Sequence, residues 1–291
     1  MAEVLAIDVG GTKVAAGRVD DRGRILARAV RPTPDGPGVD ADGVLASVQE
    51  VVDEVRRGGE VACGVGCGGP MTPGGEAVSP LNIGAWRDFP LRARLLEGLG
   101  LPVHIDNDAK ALALAEGWRG AARGERDFLA MVVSTGVGGG IVLDGRLLDG
   151  SAGNAGHIGH VIVEPDGRPC VCGARGCLEA EVSGTAIAAR TGAPAAEAGL
   201  DERRRAGHLV GRAVGSVVNL LDLRLAVVAG SVALGYGDDF FLAAQAALDA
   251  TARLDFARGA RITSAGLGHD GPLVGAAAVA WRALGHELVE S

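Results

Sequence analysis

From Gly156 onward the chain reads Gly156-His157-Ile158-Gly159-His160, then Cys170-Val171-Cys172-Gly173, then Gly176-Cys177-Leu178-Glu179. Three of the five cysteines fall in this stretch, next to a histidine pair. Structural zinc is held tetrahedrally by cysteine and histidine, and one histidine with three closely spaced cysteines supplies that donor set within one loop. Gly173 and Gly176 let the backbone turn tightly around an ion. The competing reading is a group of reduced, buried thiols, since free cysteine packs as a small hydrophobe. The Pro- and Gly-flanked segment shows no apolar period that would bury Cys170 and Cys172, so a structural zinc ion is expected. An odd number of cysteines argues against a disulfide framework. The spacing admits either His157 or His160 as the fourth ligand.

Two other stretches suit phosphate chemistry. Asp8-Val9-Gly10-Gly11-Thr12-Lys13 offers a carboxylate, two glycines for close backbone approach, a hydroxyl and an ammonium, which fit a phosphate and its magnesium ion. It has neither the spacing of a P-loop nor that of a dinucleotide fingerprint. A plain hairpin turn is the bland alternative, weakened by a second such loop at Thr135-Gly136-Val137-Gly138-Gly139-Gly140. Paired glycine turns can grip one polyphosphate from two sides. Asp106-Asn107-Asp108 stands at a strand end just before a helix, where it can cap the helix, supply a general base for phosphoryl transfer to an alcohol, or divide the two tasks.

These groups need a scaffold. Val4 to Asp8, Val14 to Val19 and Gly23 to Val30 read as strands joined by a glycine turn and a polar turn, and Asp42 to Arg57 carries helical spacing. Val61 to Gly66 and Leu101 to Ile105 are further strands, and Ala109 to Trp118 is an alanine-rich helix. The same strand, glycine turn, strand pattern restarts at Phe128, about 120 residues on, which suggests duplicated halves facing each other across a cleft. Helices are expected at Arg203 to Asp222, Asp239 to Arg253 and Leu273 to Leu284, with a strand at Leu225 to Val228 ending at Gly230. With 291 residues, 47 % of them hydrophobic, the chain can fill two ordinary domains. Its net charge of −8 and lack of basic runs leave no footprint for nucleic acid. Met1 leads into an apolar run too short for a signal peptide, and no run reaches membrane-spanning length, so a soluble cytoplasmic protein with reduced thiols is expected.

Taken together and in order, Asp8 to Lys13, Asn107-Asp108-Ala109, Ser134 to Gly140 and Gly159-His160 followed by Cys170 to Glu179 resemble the ROK-family sugar kinases of the actin/hexokinase ATPase superfamily. The resemblance covers nearly the whole chain. It implies two α/β domains of ribonuclease-H-like topology flanking a cleft, the first over residues 1–106 and completed by a closing helix at 276–291, the second over 107–275 and carrying the zinc loop. It implies Mg-ATP as phosphoryl donor, bound through Asp8, Gly10, Gly11, Thr12, Lys13, Thr135, Gly136, Gly138, Gly230 and Ser231. It assigns Asp108 as base for the 6-hydroxyl of a hexose, with Asn107, Gly69, His157, His160 and Glu179 at the sugar, and His160, Cys170, Cys172 and Cys177 at zinc. Because four protein ligands leave no open position, the zinc would brace Glu179 and take no part in the chemistry. A homodimer or higher homo-oligomer is the implied assembly.

The chain departs from the family pattern at His157, where a sugar-contacting glutamate is usual. A carboxylate only accepts hydrogen bonds, whereas neutral imidazole accepts one and donates one, so the expectation is a substrate altered near C2 or C3, or weaker glucose binding. Lys110 is a second departure, read as a helix-surface lysine pointing to solvent. Glucose is the leading substrate, with N-acetylmannosamine, N-acetylglucosamine, allose, fructose and amino sugars as alternatives and polyphosphate as another donor. The family's sugar-responsive repressors carry a winged helix ahead of the first glycine motif, which here begins at Asp8, and a non-catalytic sensor fits poorly with an intact Asp108.

Overall fold

The computed structural model describes residues 2–289. Met1, where the leader reading starts, lies outside them, as do Glu290 and Ser291, the last positions of the expected closing segment. The chain divides into two compact units. The first takes in the chain through Arg123, then Asp149–Ala155, then the chain from Leu267; the second comprises Gly124–Leu148 and Gly156–Gly266.

In the first unit β1 (Glu3–Val9), β2 (Lys13–Asp20) and β3 (Ile25–Pro32) form an antiparallel meander. Helix α1 (Ala41–Val55), capped by the Asp40 side chain on the Gly43 N–H, buries the valine stripe that its helical period announces. It leads to β4 (Cys63–Cys67), which pairs parallel to β1. Helix α2 (Leu91–Leu99) buries Leu91, Leu95 and Leu99 and stops at the left-handed Gly100. Strand β5 (Val103–Asn107) then pairs parallel to β4, and α3 (Asp108–Arg119) starts directly after its last residue.

The second unit repeats this plan. Strands β6 (Phe128–Val133), β7 (Val137–Leu143) and the two-residue β8 (Arg146–Leu147) form the meander. The short α4 (Leu178–Val182), α5 (Gly184–Thr191) and the 22-residue α6 (Leu200–Leu221) follow. Next come β9 (Leu225–Ala229), parallel to β6, then α7 (Ser231–Tyr236), α8 (Asp238–Thr251) and β10 (Arg261–Ser264), parallel to β9. The final helix α9 (Gly271–Ala283) belongs to the first unit. The sheet orders are β3-β2-β1-β4-β5 and β10-β9-β6-β7-β8, one topology used twice. Among the described residues no helix is long and apolar enough to cross a membrane.

Three features differ from the sequence reading. The expected division at residue 106 would detach α3 from its own sheet, yet α3 packs on α9 and β4 and groups with the first unit, as does Leu267 onward. The glycine loop ends earlier than expected: Gly138, Gly139 and Gly140 lie inside β7, opposite Val132, Met131 and Ala130. That strand is glycine-rich because the chain after Ala155 crosses it backbone on backbone, so that a β-carbon on Gly159 would stand 2.3 Å from the Val137 carbonyl oxygen. Helices α2, α4, α5 and α7 were not expected; apart from α2 they are too short to carry a clear period.

Glycine also sets the packing of α9. A β-carbon at Gly64 of β4 would fall 1.9 Å from the Ala276 carbonyl oxygen, and one at Gly275 would fall 2.8 Å from that of Ala111 in α3. Helix α9 is thus wedged between the sheet and α3 with no room for a methyl on those faces. Gly64→Ala should push α9 off the sheet and cost about 2–4 kcal/mol, read as a lowered urea midpoint with an unchanged m-value. An unshifted midpoint would contradict this packing.

Candidate functional site

Within the first unit the parallel register of β1, β4 and β5 sets Asp8 beside Gly66, and Gly66 beside Asp106. Asp8, at the carboxyl end of β1, is only 9 % exposed. Gly66 supplies the space between it and Asp108: a β-carbon there would lie 3.7 Å from the Asp108 Cα and 3.8 Å from Asp8 Oδ1. The two carboxylates consequently share a field. Burial, and then the charge of Asp108, push Asp8 up to about 7 against the opposing pull of Lys13. The same pair, after burial itself, holds the Cys67 thiol well above its ordinary value. Open strand ends of this kind, followed by a helix N-terminus, are where α/β sheets bind ligands.

Of the two residues that could cap the helix, Asn107 does so. The Asn107 side-chain oxygen caps α3 by accepting from the N–H groups of Ala109 at 3.0 Å and Lys110 at 3.4 Å. Asp108 follows in the first turn, where the helix dipole favours its charge. The Asn107 amide nitrogen faces Gly69, at 3.4 Å from where a β-carbon would stand.

The turn between β1 and β2 is closed by Gly10 N–H donating to the Lys13 carbonyl at 3.0 Å, leaving Thr12 and Lys13 exposed. Gly11 permits contact with Asn82, whose β-carbon would be 2.4 Å from an added one. Thr33, which sequence reasoning passed over, fixes this turn: its hydroxyl donates to the Gly10 carbonyl at 2.6 Å and its N–H to the Thr12 carbonyl at 3.0 Å. A lone threonine after a strand offers no motif to find it by. Lys110 corrects an expectation: it is 3 % exposed, its ammonium buried against Asp106 and Asp149 under the segment 149–155.

In the second unit His160, Cys170, Cys172 and Cys177 converge, with ligand atoms all within 4.8 Å of one another. Cys170 Sγ is 3.7 Å from His160 Nδ1, and Cys172 Sγ is 3.6 Å from Cys177 Sγ, too long for a disulfide. Ligands about 2.0–2.3 Å from a tetrahedral ion stand about 3.5–3.8 Å apart, so the donor set fits zinc, and the ambiguity between the histidines resolves to His160. His157 lies outside the cluster, exposed, with its ring centroid 6.1 Å from that of His160. Burial and the neighbouring sulfurs push the Cys177 thiol up to about 12, whereas the Ala174 N–H and the Cys170 side chain lead in lowering that of Cys172.

Two residues past Cys177, Glu179 accepts the Val137 N–H at 2.9 Å, linking the cysteine loop to the second glycine turn. That turn is also held by Gly184 N–H on the Ser134 carbonyl at 2.7 Å and by the Thr185 hydroxyl on the Thr135 carbonyl at 3.1 Å. Gly136 leaves room for Glu179, whose Oε2 would be 2.9 Å from an added β-carbon. Ser231, at the start of α7, meets Ser134 with hydroxyl oxygens 3.0 Å apart. Gly230 before it has φ +100° and would collide with the Val133 carbonyl if it carried a β-carbon. The structure thus gathers Ser134 to Gly136, Gly230, Ser231 and Glu179 within one unit, and Asp8, Asp108, Asn107, Gly69 and the first glycine turn within the other.

Residues 4–283 match the model of the ROK family. The chain is 38 % identical over 299 aligned residues to an N-acetylmannosamine kinase of Citrobacter koseri, covering 95 % of this chain and 98 % of that one. It superposes on the ROK hexokinase of Thermus thermophilus with a TM-score of 0.80 at 34 % identity, over 97 % of this chain and 99 % of that one. A ROK-family glucokinase of Streptomyces griseus, solved with glucose and AMPPNP, gives a TM-score of 0.80 at 30 % identity over 95 % and 98 % of the two chains. The chain belongs to the ROK family and has its actin-like ATPase fold.

Proposed function

We propose that this protein is an ATP-dependent sugar kinase that phosphorylates the 6-hydroxyl of a hexose, with N-acetylmannosamine rather than glucose as its substrate. The observation that carries the reaction is the placement of Asp8, buried at the end of β1, and Asp108, in the first turn of α3, on either side of Gly66. Asp108, at the positive end of α3, accepts the hydroxyl proton as the sugar oxygen bonds to phosphorus and ADP departs. Asp8 would serve the magnesium ion of Mg-ATP, and the exposed Thr12 and Lys13, on the turn that Gly10 and Gly11 shape, receive its phosphates. Thr135, Gly136, Gly138, Gly230 and Ser231 serve the nucleotide on the second unit.

Asn107, Gly69, His157, His160 and Glu179 serve the sugar, and His160 would in addition be one of the four ligands that hold the zinc. A donor at His157 suits an acetamido carbonyl near C2, which a carboxylate there could not serve. The likeness to the Citrobacter N-acetylmannosamine kinase over nearly all of both chains supports the same substrate. Glucose stands as the second reading, supported by the likeness to the Streptomyces glucokinase. The Cys3His cluster would hold a structural zinc ion whose chemistry is to fix the loop geometry and so the backbone that carries Glu179.

ADP release should be fastest with N-acetylmannosamine in a panel of hexoses and N-acylated hexosamines, and Asp108→Asn should lower kcat about 10²–10⁴-fold. Turnover of glucose alone would replace the substrate; an unimpaired Asp108 variant would remove the base. Metal analysis of the purified protein should return about one zinc per chain, and stripping it should lower the thermal midpoint. A metal-free protein of unchanged stability would contradict the zinc.

The Asp8 shift also fixes a pH dependence without nucleotide. Its folded pKa, about 7, exceeds the ordinary 3.8, so its contribution is fully present below 3.8 and is lost as pH rises through about 7. Asp8→Asn should therefore leave the thermal midpoint nearly unchanged at pH 4 and raise it by several degrees at pH 8. Equal effects at both pH values would rule out the shared field.

A further inference from the structure

Lys110 carries a buried charge that the kinase reading does not use. Its ammonium lies 2.9 Å from Asp106 Oδ1, 2.8 Å from Asp149 Oδ1 and 3.2 Å from the Gly153 carbonyl oxygen. Arg282 of α9 completes the group, 2.9 Å from Asp149 Oδ2 and 3.8 Å from Asp106 Oδ2. An ammonium taken out of water is retained only where such partners replace its hydration. Three acceptors from two separated segments do so here, and all belong to the first unit.

The arrangement brackets the catalytic turn. Asp106 and Lys110 stand two residues to either side of Asp108, and Asp106 also accepts the Asn107 N–H at 2.8 Å. On the other side the ammonium grips Asp149–Ala155, a stretch with positive φ at Gly150 and Gly153 that Arg282 of α9 also holds at Asp149. Its internal bonds are the Ala155 N–H on the Asp149 carbonyl at 3.0 Å, the Gly153 N–H on the Gly150 carbonyl at 3.3 Å and the Asn154 amide on the Ala152 carbonyl at 2.9 Å. These three bonds lie within the segment, whereas Lys110 and Arg282 join it to α3 and α9. The chain runs on from Ala155 through Gly156, φ +98°, to His157.

We propose that Lys110 is a positioning residue: it latches the glycine-rich segment 149–155 onto the β5–α3 turn, and so fixes both the Asn107–Asp108 turn and the chain leading to His157 for sugar binding. This rests on the kinase reading for its consequence and not for its geometry. Loosening the latch weakens sugar binding while the nucleotide side, built on other residues, is spared.

Asp149→Asn, at a half-exposed position, removes one partner from the segment's side, and Lys110→Met removes the centre. Hydrogen exchange of the amides at 150–156 should accelerate about tenfold or more in both variants, and calorimetry should show sugar Kd rising about 5–20-fold with the Kd for ATP analogue within about twofold. The effects of the two substitutions on sugar Kd should combine to less than their product in the double variant, since both remove the Lys110–Asp149 contact. Unchanged exchange at 150–156 in Asp149→Asn would overturn the latch, as would weakened stability in both variants with sugar affinity intact. If exchange accelerates but the parent protein binds no sugar, the latch stands and the kinase reading fails.

Discussion

The burial of Asp8 at the end of β1, with Asp108 close enough to oppose its ionisation further, is the constraint that the packing of the first unit must accommodate. Left to itself, such a pair would separate or be solvated. It persists because β1, β4 and β5 run parallel and end together, because Gly66 has no side chain to part them, and because α3 starts with Asp108 in its first turn. The surrounding packing secures those strand ends: α9 lies against Gly64 with no spare volume, and α3 lies against Gly275. A raised carboxylate beside a second one is costly to fold, and the proposed kinase reading gives that cost a use in phosphoryl transfer.

The second unit solves a different problem with the same sheet. Its glycine turn has no carboxylate pair to organise, and is instead held from outside, by Glu179 on Val137, by Gly184 and Thr185 on the carbonyls of Ser134 and Thr135, and by Ser231 on Ser134. Glu179 lies two residues from Cys177, so the geometry of the cysteine loop reaches the turn through the buried Leu178 between them. Chain economy explains the glycine content of β7: the stretch that delivers His157 and His160 crosses it at backbone contact distance.

Much of this was legible in the sequence because it rests on local chemistry. The cysteine spacing announces the cluster, the Asn-Asp pair before an alanine-rich run announces a capped helix, and the strand, turn, strand pattern announces both meanders. What the residues alone could not give are contacts between distant segments. Lys110 looks like a surface lysine on its helix, and only the return of the chain at Asp149 buries it. Thr33 has no motif, and its role appears only when β3 comes back beside the first glycine turn. Gly138 to Gly140 look like loop because glycine disfavours strands, and they are strand because another backbone needs the space.

The most direct test is phosphorus–proton correlation spectroscopy on the product formed from Mg-ATP and N-acetylmannosamine by the parent protein and by Asp108→Asn. Coupling of the new phosphorus to the two C6 protons, seen with the parent and lost with the variant, is the predicted result. A phosphate on the anomeric oxygen, or the same product formed at the same rate without the Asp108 carboxylate, would contradict it.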